Sequence, residues 1–252
     1  MKNNKILLLF SFLLWTIPIL AFSQNSTNDN IILKGVITEQ ESNLPLSYVS
    51  IGIIDKPVGT ISDTSGNYSL VISKENLSDT LQISLVGYKT NKISVNEFIL
   101  TNDKNVKLTR RTFLLPKVIV TNKKRNAEII GRQESGKLIQ VSVHNKKTAD
   151  ETIGSEMGMR IKTKRSSSLL KDLNWYFSAN NFRTIKFRVN IYSIKNNFPD
   201  TLLCNKQIFA TVENFKTGWN KIYLEPYNIV INGDFIITLQ WIESKMDKKK
   251  TL

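Results

Sequence analysis

His144 and Cys204 are the single histidine and single cysteine of this 252-residue chain, and they bound the chemistry open to it. A Ser-His-Asp or Cys-His device would need His144 as its base, with Cys204 or a serine as nucleophile. The setting Val141-Ser142-Val143-His144-Asn145 reads as a strand entering a turn, and no Gly-x-Ser-x-Gly elbow accompanies it. A structural or surface histidine is expected, because nothing here supplies the supporting geometry of a base. One imidazole and one thiol fall short of the three or four nitrogen and sulfur ligands of a zinc site. Glu156, Glu213, Glu225, Asp234 and Glu243 are scattered, with no spacing that sets the carboxylate separation of a glycosidase. Asp63-Thr64-Ser65-Gly66-Asn67 has the outline of a calcium loop but lacks the distal bidentate Glu. A hydrogen-bonded turn is the better reading. Phosphate-cradling and dinucleotide motifs are missing. Neither catalysis nor a cofactor is expected.

Recognition is the remaining chemistry, and aromatic rings are its candidates. Trp175, Tyr176, Tyr192, Trp219, Tyr223, Tyr227 and Trp241 crowd the C-terminal half. Trp175 shares strand parity with Leu173 and Phe177, and Trp241 with Leu239 and Ile237, so both point inward. Tyr176 and Tyr192 fall on the opposite parity and are expected at the surface, where a ring could stack on the apolar C–H face of a sugar. With Tyr88 and the basic residues Lys123, Lys124 and Arg125, they are the candidate contacts for a partner or glycan. A basic run is more often a hydrated linker than a docking patch.

The elements that must position these residues are strands. From residue 31 to 108 the chain alternates short apolar runs with Pro, Gly, Asn and Asp, which supply turn geometry and do not continue a ladder. Strands are expected at Ile32–Thr38, Ser47–Ile53, Thr60–Ser62, Tyr68–Ser73, Leu81–Leu85, Lys92–Val95 and Val106–Leu108. No stretch keeps a 3.6-residue apolar period, so a small antiparallel sandwich is expected rather than a parallel sheet with helical crossovers. Residues 109–135 form a basic linker. There Arg110-Arg111, Leu115-Pro116-Lys117-Val118-Ile119-Val120 and Lys123-Lys124-Arg125 combine proline with charge and disfavour helix.

Residues 136–243 also read as all β. Eight strands are expected: Leu138–Val143, Met157–Lys162, Leu169–Phe177, Ile185–Tyr192, Leu202–Val212, Asn220–Leu224, Tyr227–Ile231 and Phe235–Trp241. Between Ile185 and Tyr192 the odd positions are apolar and the even ones polar, which predicts one buried face and one face in water. Asn232-Gly233 is a hairpin signal, since that pair accepts positive φ cheaply. The count and alternation favour a jelly-roll-like sandwich.

The motifs Lys34-Gly35-Val36-Ile37-Thr38, Leu44-Pro45-Leu46, Gly59-Thr60-Ile61-Ser62-Asp63, Ser65-Gly66-Asn67-Tyr68-Ser69-Leu70 and Val86-Gly87-Tyr88-Lys89 resemble the carboxypeptidase regulatory-like domain. The resemblance implies a transthyretin-like, seven-stranded sandwich found on many exported bacterial proteins, without the zinc-binding catalytic domain of the carboxypeptidases. Gly154-Ser155-Glu156-Met157-Gly158, Phe187-Arg188-Val189-Asn190-Ile191-Tyr192, Gly218-Trp219 and Gly233-Asp234-Phe235 resemble a β-sandwich that follows this domain in uncharacterised exported proteins. In such relatives the sandwich runs on past the strand that ends Gln240-Trp241-Ile242-Glu243. Here a basic tail, residues 244–252, takes its place, which implies either a shortened copy or a missing edge strand, whose unpaired edge would expose backbone donors and acceptors.

Met1 to Ser23 has a signal-peptide layout: Lys2 and Lys5, an apolar run from Ile6 to Leu20, then Ala21-Phe22-Ser23, so Gln24 is the expected mature start. An uncleaved anchor is the rival, but the run is short of the roughly 20 residues that cross a bilayer. No cysteine near the cut could take a lipid. Removing Lys2 and Lys5 lowers the formal charge from +14 to +12. Outside the cytoplasm such a surface points to anionic glycans or acidic proteins, or simply to solubility, and not to nucleic acid. Cys204 follows Leu202-Leu203 in a strand-like run and is expected to be buried rather than bridged. The expected protein is therefore an exported, non-catalytic binding or assembly module of the bacterial cell envelope, in the periplasm, at the outer-membrane periphery or on the cell surface. Its partner would be an envelope protein or a glycan. A carbohydrate-binding accessory protein, and a relative of the N-terminal extension of a TonB-dependent outer-membrane receptor, are the alternatives.

Overall fold

A computed structural model describes residues 30–111, 127–131, 134, 153–164 and 167–246. The first sandwich is built from β1 (Asn30–Glu39), β2 (Ser50–Ile53), β3 (Gly59–Ile61), β4 (Asn67–Ser73), β5 (Thr80–Ser84), β6 (Asn91–Ser94), the helix α1 (Val95–Leu100) and β7 (Val106–Leu108). One layer has the order β4-β1-β7 and the other β3-β2-β5-β6. Alternation decides what each strand buries. Tyr68, Leu70 and Ile72 of β4 point inward between Asn67, Ser69 and Val71, and meet Ile37, Ile51, Leu81 and Ile83 in one core. Each fully buried aliphatic side chain of this kind is worth roughly 1.5–3 kcal/mol against exposure.

All seven expected strands are present, with ends shifted by up to three residues. Two features depart from expectation. The β1–β7 pairing is parallel, Ile37 opposite Val106. The chain reaches it by a crossover through α1, which buries Val95 and Phe98 one turn apart. Six residues are too few for a helical period to stand out in the sequence. The unit also reaches past Leu108: Lys89 N donates to Thr109 O at 2.9 Å and Arg111 N to Gly87 O at 2.8 Å, so residues 109–111 are held to the sandwich. Asp63 closes the β3–β4 turn as expected, its Oδ1 accepting from the Ser65 and Asn67 amides at 2.8 Å each, with Gly66 at φ 79°.

The second sandwich comprises β8 (Glu156–Ile161), β9 (Ser168–Leu169), β10 (Asp172–Phe177), β11 (Thr184–Lys195), β12 (Phe198–Leu202), β13 (Ile208–Glu213), β14 (Gly218–Tyr223), β15 (Val230–Ile231) and β16 (Phe235–Lys245). Its main layer runs β12-β11-β16-β8, with β13 also paired to β11. Two ribbons, β10–β14 and β15–β9, form the facing layer. Phe187, Ile191, Ile208, Ile231, Ile237 and Trp241 fill the space between, with Trp175 packed against them. The fold is all β in two sandwiches. The expected strand Leu138–Val143, His144, the basic residues Lys123, Lys124 and Arg125, and the expected leader Met1 to Ser23 lie outside the described residues.

Several expected strands are broken or extended. The run 169–177 splits where Leu170 N turns to Ile229 O and Lys171 O accepts from Leu224 and Glu225. The run 202–212 splits at a loop holding Cys204. Asn232-Gly233 does not close a hairpin: both edges of β16 are taken, by β11 and β8, so β15 pairs with β9 in the other layer. The tight hairpin joins β11 to β12, where Asn196 and Asn197 both adopt positive φ, 51° and 71°, the geometry of a two-residue turn. Ser244 and Lys245, expected in the tail, continue β16 against Ile185 and Thr184.

A polar cleft between the sandwiches

The two central even positions of β11 do not meet water. Arg188 is 2% exposed and Asn190 4% exposed, because the outer face of the first sandwich covers them. That is a correction to the alternation reading, which sees two faces of a strand but not a second domain lying on one of them.

Arg188 organises the junction. Its Nη1 donates to the Tyr48 carbonyl and its Nη2 to Ser50 Oγ, both at 2.8 Å across the boundary. Within its own sandwich, Nε and Nη2 donate to Gln240 Oε1 at 3.0 and 2.6 Å. Gln240 Nε2 in turn donates to Ser50 Oγ at 3.2 Å and to the Gly154 carbonyl at 3.2 Å. Burial pulls the guanidinium's pKa down, partly offset by the nearby Glu156 carboxylate. An arginine nonetheless stays charged, so this is a buried cation stabilised by three acceptors, the Tyr48 carbonyl, Ser50 Oγ and Gln240 Oε1.

Beside it, Lys186 Nζ lies 4.5 Å from the Tyr48 ring centroid and 4.8 Å from that of Phe209, and donates to Tyr48 Oη at 3.1 Å. Tyr48 and Phe209 meet edge to face at 5.5 Å, and Tyr48 Oη donates to Glu243 at 3.2 Å. These contacts close one end of the space between the two sheets.

The rest of that space is a cleft of about 530 Å³. One wall is the outer face of β2, β5 and β6, with Ser50, Gly52, Gln82, Ser84 and Lys92. The other is the outer face of β8, β11 and β16, with Glu156, Asn190, Tyr192 and Gln240. The glycine at 52 leaves backbone at the wall, and serine hydroxyls and amides supply donors and acceptors. Glu156 Oε1 accepts from Asn190 Nδ2 at 2.9 Å, from Tyr192 Oη at 3.0 Å and from Thr238 Oγ1, which holds the carboxylate against β11. Burial, and then the Glu156 charge, push the Tyr192 phenol well above its ordinary pKa, so it is a donor throughout the neutral range.

Tyr88 and Tyr192, 104 positions apart in sequence, both line this cleft. Tyr88 Oη donates to Glu39 at 3.4 Å, and Glu39 is buried and ion-paired with Arg110. Tyr192 is half-buried rather than on open surface. Tyr176 is elsewhere, 44% exposed on β10. Arg188, Gln240 and Ser50 were not singled out from the sequence, and Glu156 was weighed only as one of several scattered carboxylates. The only local trace was an arginine at the centre of a strand otherwise patterned for a core. Cys204 is half-buried at the cleft margin, and burial pushes its thiol up, away from reactivity at neutral pH.

The cleft offers fixed donors and acceptors, two phenols, and charges mostly engaged within the walls, a set suited to hydrogen bonding. Among the described residues, no three His, Cys, Asp or Glu side chains gather as a metal site would require. No curated protein matches the chain. Residues 33–120 match the family model of the CarboxypepD_reg-like domain, which covers β1 to β7 and the segment beyond. This chain therefore carries a carboxypeptidase regulatory-like domain, a β-sandwich module of non-catalytic type, joined through Arg188 to a second all-β sandwich.

Proposed function

We propose that this protein is an exported, non-catalytic binding module of the cell envelope, and that it holds a polar partner in the cleft between its two sandwiches. The observation that carries the reading is the cleft itself. Its walls come from different domains and are fixed by the Arg188 bridge, so the recognition surface exists before the partner arrives. Hydroxyl, amide and phenol groups suit a hydrogen-bonding ligand, an envelope protein segment or a glycan, better than a lipid, whose chains would leave these groups unpaired. Export is supported by the leader-like Met1 to Ser23.

Photo-crosslinking in intact cells tests both parts. A benzophenone side chain in place of Ser84, on the cleft wall, is expected to trap envelope material. One in place of Val71, exposed on the far layer, is not. Filling the cleft with Ser84→Trp should abolish capture by purified protein that retains the wild-type circular dichroism. Equal trapping at both positions, or capture unchanged by Ser84→Trp, overturns the cleft. Recovery of the protein only in the cytoplasm, with Met1 intact, overturns the export.

A further inference from the structure

The β10–β14 ribbon of the second sandwich turns three aromatic rings outward that its core does not use. Register places Tyr176 opposite Trp219, Asn174 opposite Lys221 and Asp172 opposite Tyr223. The intervening positions Leu173, Trp175, Phe177 and Ile222 pack inward, so the core is already supplied with large side chains. The outward rings are open to solvent: Tyr176 is 44% exposed, Trp219 43% and Tyr223 63%. Tyr176 and Trp219 meet edge to face at 5.5 Å. A cross-strand aromatic pair stabilises a ribbon on its own account. Tyr223 has no ring opposite it, and that account does not reach it.

The groups between the rings say what would cover them. Lys221 Nζ lies 3.5 Å from Asp172 Oδ2 and 5.4 Å from the Tyr223 ring centroid, and Asn174 Nδ2 donates to Asp172 Oδ1 at 2.6 Å. The one cation and one anion of the face neutralise each other, so in a chain of net charge +14 this strip is uncharged overall. It offers no attraction for anionic polymers. An acyl chain would strip water from Asp172, Asn174 and Lys221 without replacing it. An uncharged sugar has an apolar C–H face for each ring and hydroxyls for the carboxylate, amide and ammonium between. Trp219 and Tyr223 stand four residues apart on one strand, about 13 Å, a span that several linked pyranose rings cover. We propose that the outer face of the β10–β14 ribbon binds a neutral hexose-based glycan lying along the strands, independently of the cleft.

Affinity electrophoresis of the full mature chain through gels containing dextran, laminarin, hydroxyethyl cellulose or polygalacturonate tests this. At least one neutral glucan is expected to retard the protein, with little change between low and high salt. Trp219→Ala and Tyr223→Ala should each weaken retardation by about tenfold, as loss of a stacking ring at a binding centre does. Trp219→Tyr should restore part of it, and Tyr192→Ala in the cleft should leave it unchanged. Tyr223→Ala should melt near wild type, and Trp219→Ala should still fold but melt slightly lower for loss of its pair with Tyr176. No retardation by any neutral glucan, retardation by polygalacturonate alone, or full retardation of the Trp219→Ala/Tyr223→Ala double variant overturns the proposal. So does sedimentation showing a dimer that Trp219→Ala dissolves, since the face would then be covered by a second copy.

Discussion

Arg188 Nη1 and the Tyr48 carbonyl meet at 2.8 Å, and this bond ties the central strand of one sandwich to the loop entering β2 of the other. Tyr48 has φ 60°, a left-handed backbone that a bulky residue rarely adopts and that costs of order 1–3 kcal/mol. The surrounding contacts offset that cost. The conformation aims the carbonyl at Arg188 while the ring lies against Phe209 and beneath the Lys186 ammonium. Strain in one domain is thus held by partners in the other, and the two sandwiches are coupled through it.

Arg188→Met should destabilise the chain by about 2–4 kcal/mol, because the Tyr48 carbonyl, Ser50 and Gln240 lose their donor in a buried setting. Arg188→Lys should recover little, since a single ammonium cannot reach three acceptors in different directions. Urea unfolding followed by tryptophan fluorescence measures both. Three of the four tryptophans, Trp175, Trp219 and Trp241, belong to the second sandwich and the fourth is Trp15, so fluorescence follows the second sandwich while far-UV circular dichroism reports both. Separation of the two transitions in Arg188→Met, where wild type has one, is the expected sign of uncoupling.

Tyr48→Phe removes only the hydroxyl that Lys186 and Glu243 share, and should cost about 0.5–1.5 kcal/mol. Tyr48→Gly relieves the backbone but loses the ring contacts, and should be the less stable of the two. A more stable Tyr48→Gly would mean that the ring contributes less than the strain costs.

Gly158→Ala should be among the most damaging small substitutions. A Cβ there would lie 2.8 Å from Thr238 Cα and press on the Ile237 carbonyl oxygen, so β8 could not keep its place against β16. A loss of about 2–4 kcal/mol is expected from such a clash with backbone. Since β8 carries Glu156, ligand capture at the cleft should fall with it. Thermal melts and the crosslinking assay read the two effects.

Acid should unfold the protein through specific carboxylates. Glu39 is held below its ordinary pKa, first by its hydrogen bond from Arg110 and then by Ser42. Asn67 does the same for Asp63, Lys56 for Asp79 and Arg160 for Asp234. In each case the unfolded chain binds protons more readily, so this stabilisation is complete above the ordinary carboxylate range and is lost as pH falls through the depressed values. Tyr68 gives the alkaline counterpart. Burial raises its pKa to about 12, so stability declines as pH rises from about 10 toward that value. Melting temperature against pH should fall at both ends, and Glu39→Gln should flatten the acid limb. An unchanged acid limb would show that Glu39 does not take part in it.

The seven strands of the first sandwich were legible because local rules coincide there. Turn residues bound each run and alternation marks the buried face, as in Tyr68, Leu70 and Ile72. The helix α1 escaped because Val95 and Phe98 make a single apolar step, too short to define a period. The Asn232-Gly233 turn misled because a turn propensity reports how the backbone bends, not which strand receives it. Competition for the edges of β16 decided that.

Pattern and turn chemistry in the amino-acid order alone were enough for the all-β class and the inward Trp175 and Trp241. These follow from residue type and neighbours a few positions away. The cleft belongs to tertiary structure. Arg188 and Tyr48 are 140 positions apart, and a polar residue at an even strand position carries the same signal whether water or another domain covers it. Burial on that face is set by where the second sheet lands, and no local period encodes it.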